Sequence, residues 1–473
     1  MRLVIIRLLA AAMGLGAATA HATPMYAARS ARTCDNCHVT PNKWVNPPLP
    51  QRKCNMSCQV CHVDPTGGGA RNAAGRFFGR STLPMIATSP RPTDDWDRNV
   101  PMIGRRDRAT TYDHNLPLGP NTFAAAAEKF PEFEAAIADG WAWGTPGGKP
   151  HRYGLLQGRY ERLNADPVLR VGVDMRLAAL LSGPLYFPMQ IDIPVVAHPV
   201  HHLTLLVNTG ARGRSSGYAE TFSEDHSFYF REAFVMVHEI PFQAYAKAGR
   251  FVPSFGLRLD DHTSHIRRGF ELDGALPESR VSGLEIGAMP NYPFVNLSWF
   301  RMTARQHSPN RWDIADGDDG WGTAVNAGWR DLSWSVGASA LFRRRDVSDG
   351  GDTSSYGIYG VLNPWRNRKQ LPLTYQAEYD FGNLQRPSGR RTQQAAFYQE
   401  LNWVAYNGVV VLLAHDWADP DGEIVDDEDH RLQLGLQVTP VAGVTIDGRF
   451  RALMPASGKF ADSDLFIQVH LYR

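Results

Sequence analysis

From about Val168 onward, apolar and polar residues alternate with period two over and over, and few folds accommodate such a pattern. Leu169, Val171, Val173, Met175 and Leu177 alternate with Arg170, Gly172, Asp174, Arg176 and Ala178. The same holds for Leu373, Tyr375, Ala377, Tyr379 and Phe381 against Thr374, Gln376, Glu378 and Asp380, and for Leu432, Leu434, Leu436 and Val438 against Arg431, Gln433, Gly435 and Gln437. Successive side chains of a strand point to opposite faces, so each segment carries one apolar and one polar face. The pattern marks about sixteen strands, near 169–181, 187–197, 202–210, 227–238, 244–252, 280–288, 294–303, 321–330, 332–343, 354–363, 373–383, 393–405, 409–417, 430–439, 444–454 and 464–472.

The connections between these segments differ systematically in length. Arg330-Asp331, Tyr406-Asn-Gly408 and Pro440-Val-Ala-Gly443 are short, whereas Pro253 to Ser279, Ala304 to Gly320, Ala418 to Asp429 and Pro455 to Ser463 are long. Short turns on one rim and long loops on the other characterise outer-membrane barrels, with the short turns periplasmic. Such a chain needs an even strand number, which places a further alternating segment, Arg152 to Leu163, outside the wall. Tyr292, Phe294, Trp299, Trp321, Trp329 and Trp334 lie near strand ends and are expected in aromatic girdles. A large soluble all-β domain is the alternative, and Arg473 after Tyr472 departs from the aromatic residue that usually closes a barrel.

Ahead of the alternating region stand two C-x-x-C-H motifs, Cys34-Asp-Asn-Cys37-His38 and Cys58-Gln-Val-Cys61-His62. This spacing is that of covalent haem c attachment. The two thiols form thioethers with one haem, and the adjacent histidine, His38 or His62, is the proximal iron ligand. A zinc cage of four thiolates is the competing chemistry. All five cysteines lie in this segment, which leaves Cys54 without a thioether or disulfide role. Gly67-Gly68-Gly69 allows the chain to turn tightly behind the second motif, where Phe77 and Phe78 are placed to cover a haem face.

Distal ligands are scarce. His114 and His151 are the candidates between the motifs and the strands, with Met25, Met56, Met85 and Met102 as thioether alternatives and His202 reachable only from a lumen. Two charged clusters stand out: Arg258 to Arg268, in the longest outer loop, is expected to be a solvated, charge-paired loop, with metal binding or constriction of the pore as the alternatives, and the run Asp416, Asp419, Asp421, Glu423, Asp426, Asp427, Glu428 and Asp429 offers hard oxygen ligands but is expected to be an acidic solvated loop.

Met1 to about Ala22 carries Arg2 and Arg7, an apolar run and Ala20-His-Ala22, the pattern of a secretory signal peptide. Export fits the haem motifs, because c-type haem is attached outside the bacterial cytoplasm. Residues 23–80 then form a dihaem cytochrome segment, 81–167 a linker with short helices near 121–138, and 168–473 the barrel. With 49 basic and 48 acidic residues, nothing points to nucleic acid. The expected fold class is all-β, an antiparallel transmembrane barrel of about sixteen strands preceded by a small irregular and helical segment.

Together, Cys34, Cys37, His38, Cys58, Cys61 and His62, followed by a barrel, resemble the fused outer-membrane cytochrome-porins of iron-oxidising and metal-respiring bacteria, here with two haem motifs. The resemblance implies electron transfer across the outer membrane, between periplasmic carriers and an extracellular metal ion, mineral or cytochrome. It also implies contact with outer-membrane lipid and a haem segment held below or inside the barrel. A diffusion porin plugged by its cytochrome segment and a barrel-anchored haem enzyme such as a peroxidase are the rival functions.

Overall fold

The computed structural model describes residues 62–66, 70, 86, 169–181, 185–200, 203–211, 228–240, 244–259, 264–270, 280–289, 292–302, 320–330, 334–345, 351–362, 373–385, 389–406, 408–441, 443–455 and 462–472. Its strands are β1 (Leu169–Val171), β2 (Asp174–Leu180), β3 (Leu185–Val200), β4 (Leu203–Ala211), β5 (Phe228–Ile240), β6 (Ala244–Phe251), β7 (Val281–Ala288), β8 (Pro293–Met302) and β9 (Trp321–Arg330). They continue as β10 (Trp334–Arg344), β11 (Thr353–Leu362), β12 (Leu373–Gln385), β13 (Arg391–Tyr406), β14 (Val409–Asp419), β15 (Asp429–Val438), β16 (Val444–Pro455) and β17 (Asp462–Tyr472).

From β2 onward each strand pairs antiparallel with the next, and β17 returns to β2 through the register Val469↔Leu177. Both β1 and β2 pair with β3, so they are one wall strand interrupted at Gly172-Val173, where the Gly172 amide instead donates to Pro194 O at 2.8 Å. The wall is therefore a closed barrel of sixteen strands. Closure removes the sheet edges that would otherwise leave backbone groups unpaired in lipid. At the short turns the backbone needs left-handed conformations, which glycine supplies at Gly408 (φ 77°) and Gly443 (φ 81°). Thr439 N donates to Gly408 O, tying two neighbouring short turns together, and Tyr472 N donates to Gly443 O, tying the end of β17 to the turn before β16.

Which face is buried separates a membrane barrel from a soluble sandwich. The apolar face lies outside: Leu169, Leu284, Val295, Leu413, Leu434 and Phe450 are all exposed, Leu434 at 57%. The polar face lies inside, with Thr374, Gln376, Glu378 and Asp380 of β12 buried. A soluble domain would have the reverse, whereas a lipid-facing wall requires this arrangement. Trp299, Trp321 and Trp329 do face outward, and Tyr292 stacks on Trp329 with centroids 5.7 Å apart. Phe294 does not join the girdle. It turns into the lumen, where the Arg330 guanidinium carbon sits 4.0 Å from its ring centroid.

Candidate functional site

The polar lumen face is buried because chain is folded against it. The connection after β6 does not stay outside as a solvated loop; its described residues, including the short helix α1 (His265–Arg268), pack inside against β12, β13 and β14. Gly256 makes this insertion possible: its φ is +57°, and a Cβ there would lie 1.6 Å from Glu378 Oε1. Its amide donates to Ser339 Oγ at 2.8 Å, and the Leu257 amide donates to Glu378 Oε2 at 2.9 Å. Arg267 completes the seat by pairing with Glu378 Oε2 at 2.6 Å and donating to the Leu257 and Phe255 carbonyls. The charged cluster expected to be solvated is thus in part a lumen insert, in line with the pore-constricting alternative.

On the opposite side the lumen holds the residues that follow the second C-x-x-C-H motif. His62 is half-buried, and Val63, Asp64 and Pro65 are buried. Val63 belongs to the apolar cluster that contains Phe234, Met236, Tyr245, Phe251, Phe255, Phe270 and Phe300. Its amide donates to Ala70 O at 2.9 Å. Further on, the Ile86 amide donates to Thr439 O at 3.0 Å, at the short-turn rim.

Asp64 is the electrostatic anchor. Lys247, on the lumen face of β6 and fully buried, approaches Asp64 Oδ2 at 3.3 Å and Glu285 Oε1 at 2.9 Å. Glu285 is completed by the hydroxyls of Tyr245 at 2.9 Å and Ser298 at 2.8 Å. Arg258 of the inward loop adds a second cation 3.5 Å from Asp64 Oδ2 and donates to Thr66 Oγ1 at 2.5 Å. Burial alone would raise the Asp64 carboxyl, but Lys247, Arg258 and the Thr66 amide outweigh it and hold the group well below the usual carboxylate range. The segment is therefore held as an anion between a cation of the wall and one of the loop.

Two more polar groups of the lumen were not foreseen. His198 on β3, Thr204 on β4 and His238 on β5 are buried together, with Thr204 Oγ1 2.9 Å from His198 Nδ1 and 2.8 Å from His238 Nε2. His198 and His238 fall on the inner parity of their strands, as His202 was expected to do, and that parity was the signal available for them. The acidic run near the β14–β15 connection is also less solvated than expected: Asp416 is buried and pairs with Arg431, and Asp421 pairs with Arg390 at 3.0 Å. Among the described residues no group of three or more His, Cys, Asp or Glu side chains is arranged to hold a metal ion. Cys34, Cys37, His38, Cys54, Cys58, Cys61, His114, His151 and His202 lie outside the described residues, as do Phe77, Phe78, the helices expected near 121–138 and the segment Arg152 to Leu163.

Fold and exterior together define a membrane-spanning β-barrel of the outer-membrane type, carrying inserted chain in its lumen. No protein-family model matches the sequence, and no curated protein matches it. Among solved structures, the chain is similar to an anion-selective porin from Comamonas acidovorans, at 11% identity and a TM-score of 0.47, over 64% of this chain and 98% of that one. It is also similar to outer-membrane-expressed OmpT of Vibrio cholerae (10%, TM-score 0.46, 64% and 97%) and to OprB of Pseudomonas putida (10%, TM-score 0.46, 64% and 94%).

Proposed function

We propose that this protein is an outer-membrane electron conduit, moving electrons between periplasmic carriers and an extracellular metal ion, mineral or cytochrome through two covalently attached c-type haems. The observation that carries the reading is the seating of Val63 to Thr66, the residues directly behind the second haem motif, inside the barrel. A cytochrome segment that hung free in the periplasm would have no reason to present an anion to Lys247, buried beside the rings of Phe234 and Phe251. The surroundings also fit a haem: the Phe-rich cluster around Val63 suits a flat apolar macrocycle, and the half-buried histidine of the motif directly precedes Val63 in the chain.

When bound, haem supplies a one-electron iron couple whose potential is set by axial ligands, burial and hydrogen bonding. The chain's own residues do the rest. Cys34, Cys37, Cys58 and Cys61 fasten the groups, and His38 and His62 provide proximal imidazoles. Lys247 and Arg258 fix the segment behind His62 at one height in the lumen. The sixteen-strand wall carries the path across lipid, and the inward loop takes up lumen space that a diffusing solute would need.

The test is electron transfer across sealed proteoliposomes that hold a reduced dye, with a membrane-impermeant oxidant added outside. Rapid dye oxidation by the native protein, absent with Cys34→Ala plus Cys58→Ala protein and without leakage of a dye-sized neutral solute, is the expected result. Equal oxidation by both proteins in step with solute leakage would make the molecule a diffusion porin. A peroxide-consuming activity without transmembrane transfer would make it a barrel-anchored haem enzyme.

A further inference from the structure

We infer that a row of outward side chains at the long-loop rim, Arg301, Trp321 and Arg344, binds a phosphate-bearing lipid headgroup of the outer leaflet. The inference rests on the barrel and its lipid-facing exterior, and it is independent of what the lumen carries.

Register brings the three residues together. Arg301 on β8 stands opposite Trp321 on β9, and Trp321 stands opposite Arg344 on β10. All three fall on the outer parity of their strands and are exposed, the Arg344 side chain at 70%. Neighbouring strands lie about 4.8 Å apart, so the arginines flank the indole with their backbones about 10 Å from each other. A guanidinium carries five N–H donors, and bidentate binding of a phosphate takes two of them. Two such groups on long stems can meet one phosphate from both sides or hold two phosphates of one headgroup.

The residues beneath the row set its depth. Along β8 the outward residues run Arg301, Trp299, Leu297 and Val295, and along β10 they run Arg344, Phe342, Ala340 and Ala338. Each column passes from cation to aromatic ring to aliphatic side chain. Aromatic rings of membrane proteins collect at the boundary between acyl chains and headgroups. Trp299 and Phe342, both exposed, mark that boundary here, and Phe342 packs edge-on against Tyr356 to extend the belt to β11. The arginines stand two residues farther out, about 6.6 Å along the strand, at the level of lipid phosphates. In outer-membrane barrels the long-loop rim is the extracellular one.

The other rim of the same strands supplies the contrast. There the corresponding outward row is Pro293, Trp329 and Val336, without charge. An aromatic girdle alone accounts for that row, whereas it does not account for two cations on either side of Trp321. Asp352 lies near Arg344, with Oδ2 3.9 Å from Nε and both side chains exposed. A surface ion pair of this kind holds weakly, so Asp352 competes with a phosphate for Arg344 without excluding it.

The experiment is native mass spectrometry of the detergent-solubilised full chain, titrated with diphosphoryl lipid A, with the same lipid stripped of its phosphates, and with inorganic phosphate. Each variant is first shown to keep the gel mobility of the folded barrel. The diphosphoryl lipid is expected to bind and the stripped lipid to bind far more weakly. Arg344→Gln is expected to weaken binding about fivefold and Arg301→Gln plus Arg344→Gln roughly thirtyfold, from about 1 kcal/mol per arginine at an anionic lipid surface. Asp352→Asn is expected to tighten it. Arg391→Gln removes another exposed, outward cation of the same rim, on β13, and is expected to change nothing. Equal binding of the stripped lipid, or an unchanged affinity in the double variant, would overturn the site. A loss in Arg391→Gln as large as in Arg344→Gln would replace it with a diffuse cationic belt. Displacement of the lipid by inorganic phosphate at equal concentration would make it a site for a free anion instead of a lipid.

Discussion

Two walls of this barrel receive inserted chain, and they do so with opposite charge. On the β6 side the wall offers a cation, Lys247, to an anion of the incoming segment, Asp64. On the β12 side the wall offers an anion, Glu378, to a cation of the inward loop, Arg267. Exchanging the two inserts would set Asp64 against Glu378 and Asp380, and Arg267 against Lys247. Buried ion pairs add little net stability, because desolvating both partners costs nearly as much as their attraction returns, but a wrongly paired buried charge is expensive. Charge therefore acts here as an address: it decides which insert sits on which wall. Arg258 links the two systems, since it belongs to the loop yet lies 3.5 Å from Asp64 and 3.7 Å from Glu232 of the wall.

The largest expected effects come from deleting the cation on either wall. Arg267→Met leaves Glu378 buried beside Asp380, and Lys247→Met leaves Asp64 and Glu285 facing each other. Each is expected to cost about 3–5 kcal/mol, read as a lowered midpoint in denaturant unfolding of the detergent-solubilised barrel. Single-channel conductance should separate the two. Arg267→Met is expected to open the lumen by releasing the loop, and Lys247→Met by releasing the segment behind His62. If both variants unfold and conduct like the native protein, charge does not decide the seating and the contrast between the walls is empty.

A second comparison, inner face against outer face, is tested by Leu434→Arg in the middle of β15. Leu434 lies on the exposed apolar face, and an arginine there in bilayer is expected to cost about 2–4 kcal/mol. In a soluble protein an exposed leucine replaced by arginine would be nearly neutral, so refolding yields into lipid vesicles decide between the two. This is also where the sequence was most legible. Strict alternation such as Leu432-Gln433-Leu434-Gly435-Leu436 sets strand, face and register together, because a slip of one residue would turn every leucine into the lumen. The break at Gly172-Val173 was not legible, since it depends on what the neighbouring strand places opposite it, whereas the inward turn of Phe294 follows from the alternation itself, because Phe294 shares a face with Asn296 and Ser298. The seat of the inward loop was hidden for a related reason. Arg267 has the composition of a solvated loop, and only the wall carboxylate Glu378, over a hundred positions away, together with the room left by Gly256, makes its burial tolerable. His198 and His238 were readable only as inward parity; their meeting at Thr204 depends on the β3–β4–β5 register.

The smallest of these effects is the one that isolates the segment. Asp64→Asn removes the anion of the insert and leaves the wall intact, because Lys247 keeps Glu285 at 2.9 Å. The barrel should therefore unfold as the native protein does, while the segment behind His62 loses its charge-assisted contacts to Lys247 and Arg258, worth about 1–3 kcal/mol. Limited proteolysis from the short-turn side should then cleave near residues 62–70 faster in the variant, by roughly the tenfold that about 1.4 kcal/mol of easier opening implies when opening is fast relative to cleavage. Adding Lys247→Gln to Asp64→Asn gives the closing measurement. If the two residues act through one another, the double variant opens the segment much less than the sum of the single effects predicts, and the shortfall is their coupling energy. Strict additivity would mean that Asp64 is seated by Arg258 and the turn at Thr66 rather than by the wall, and the address would then be written on the loop.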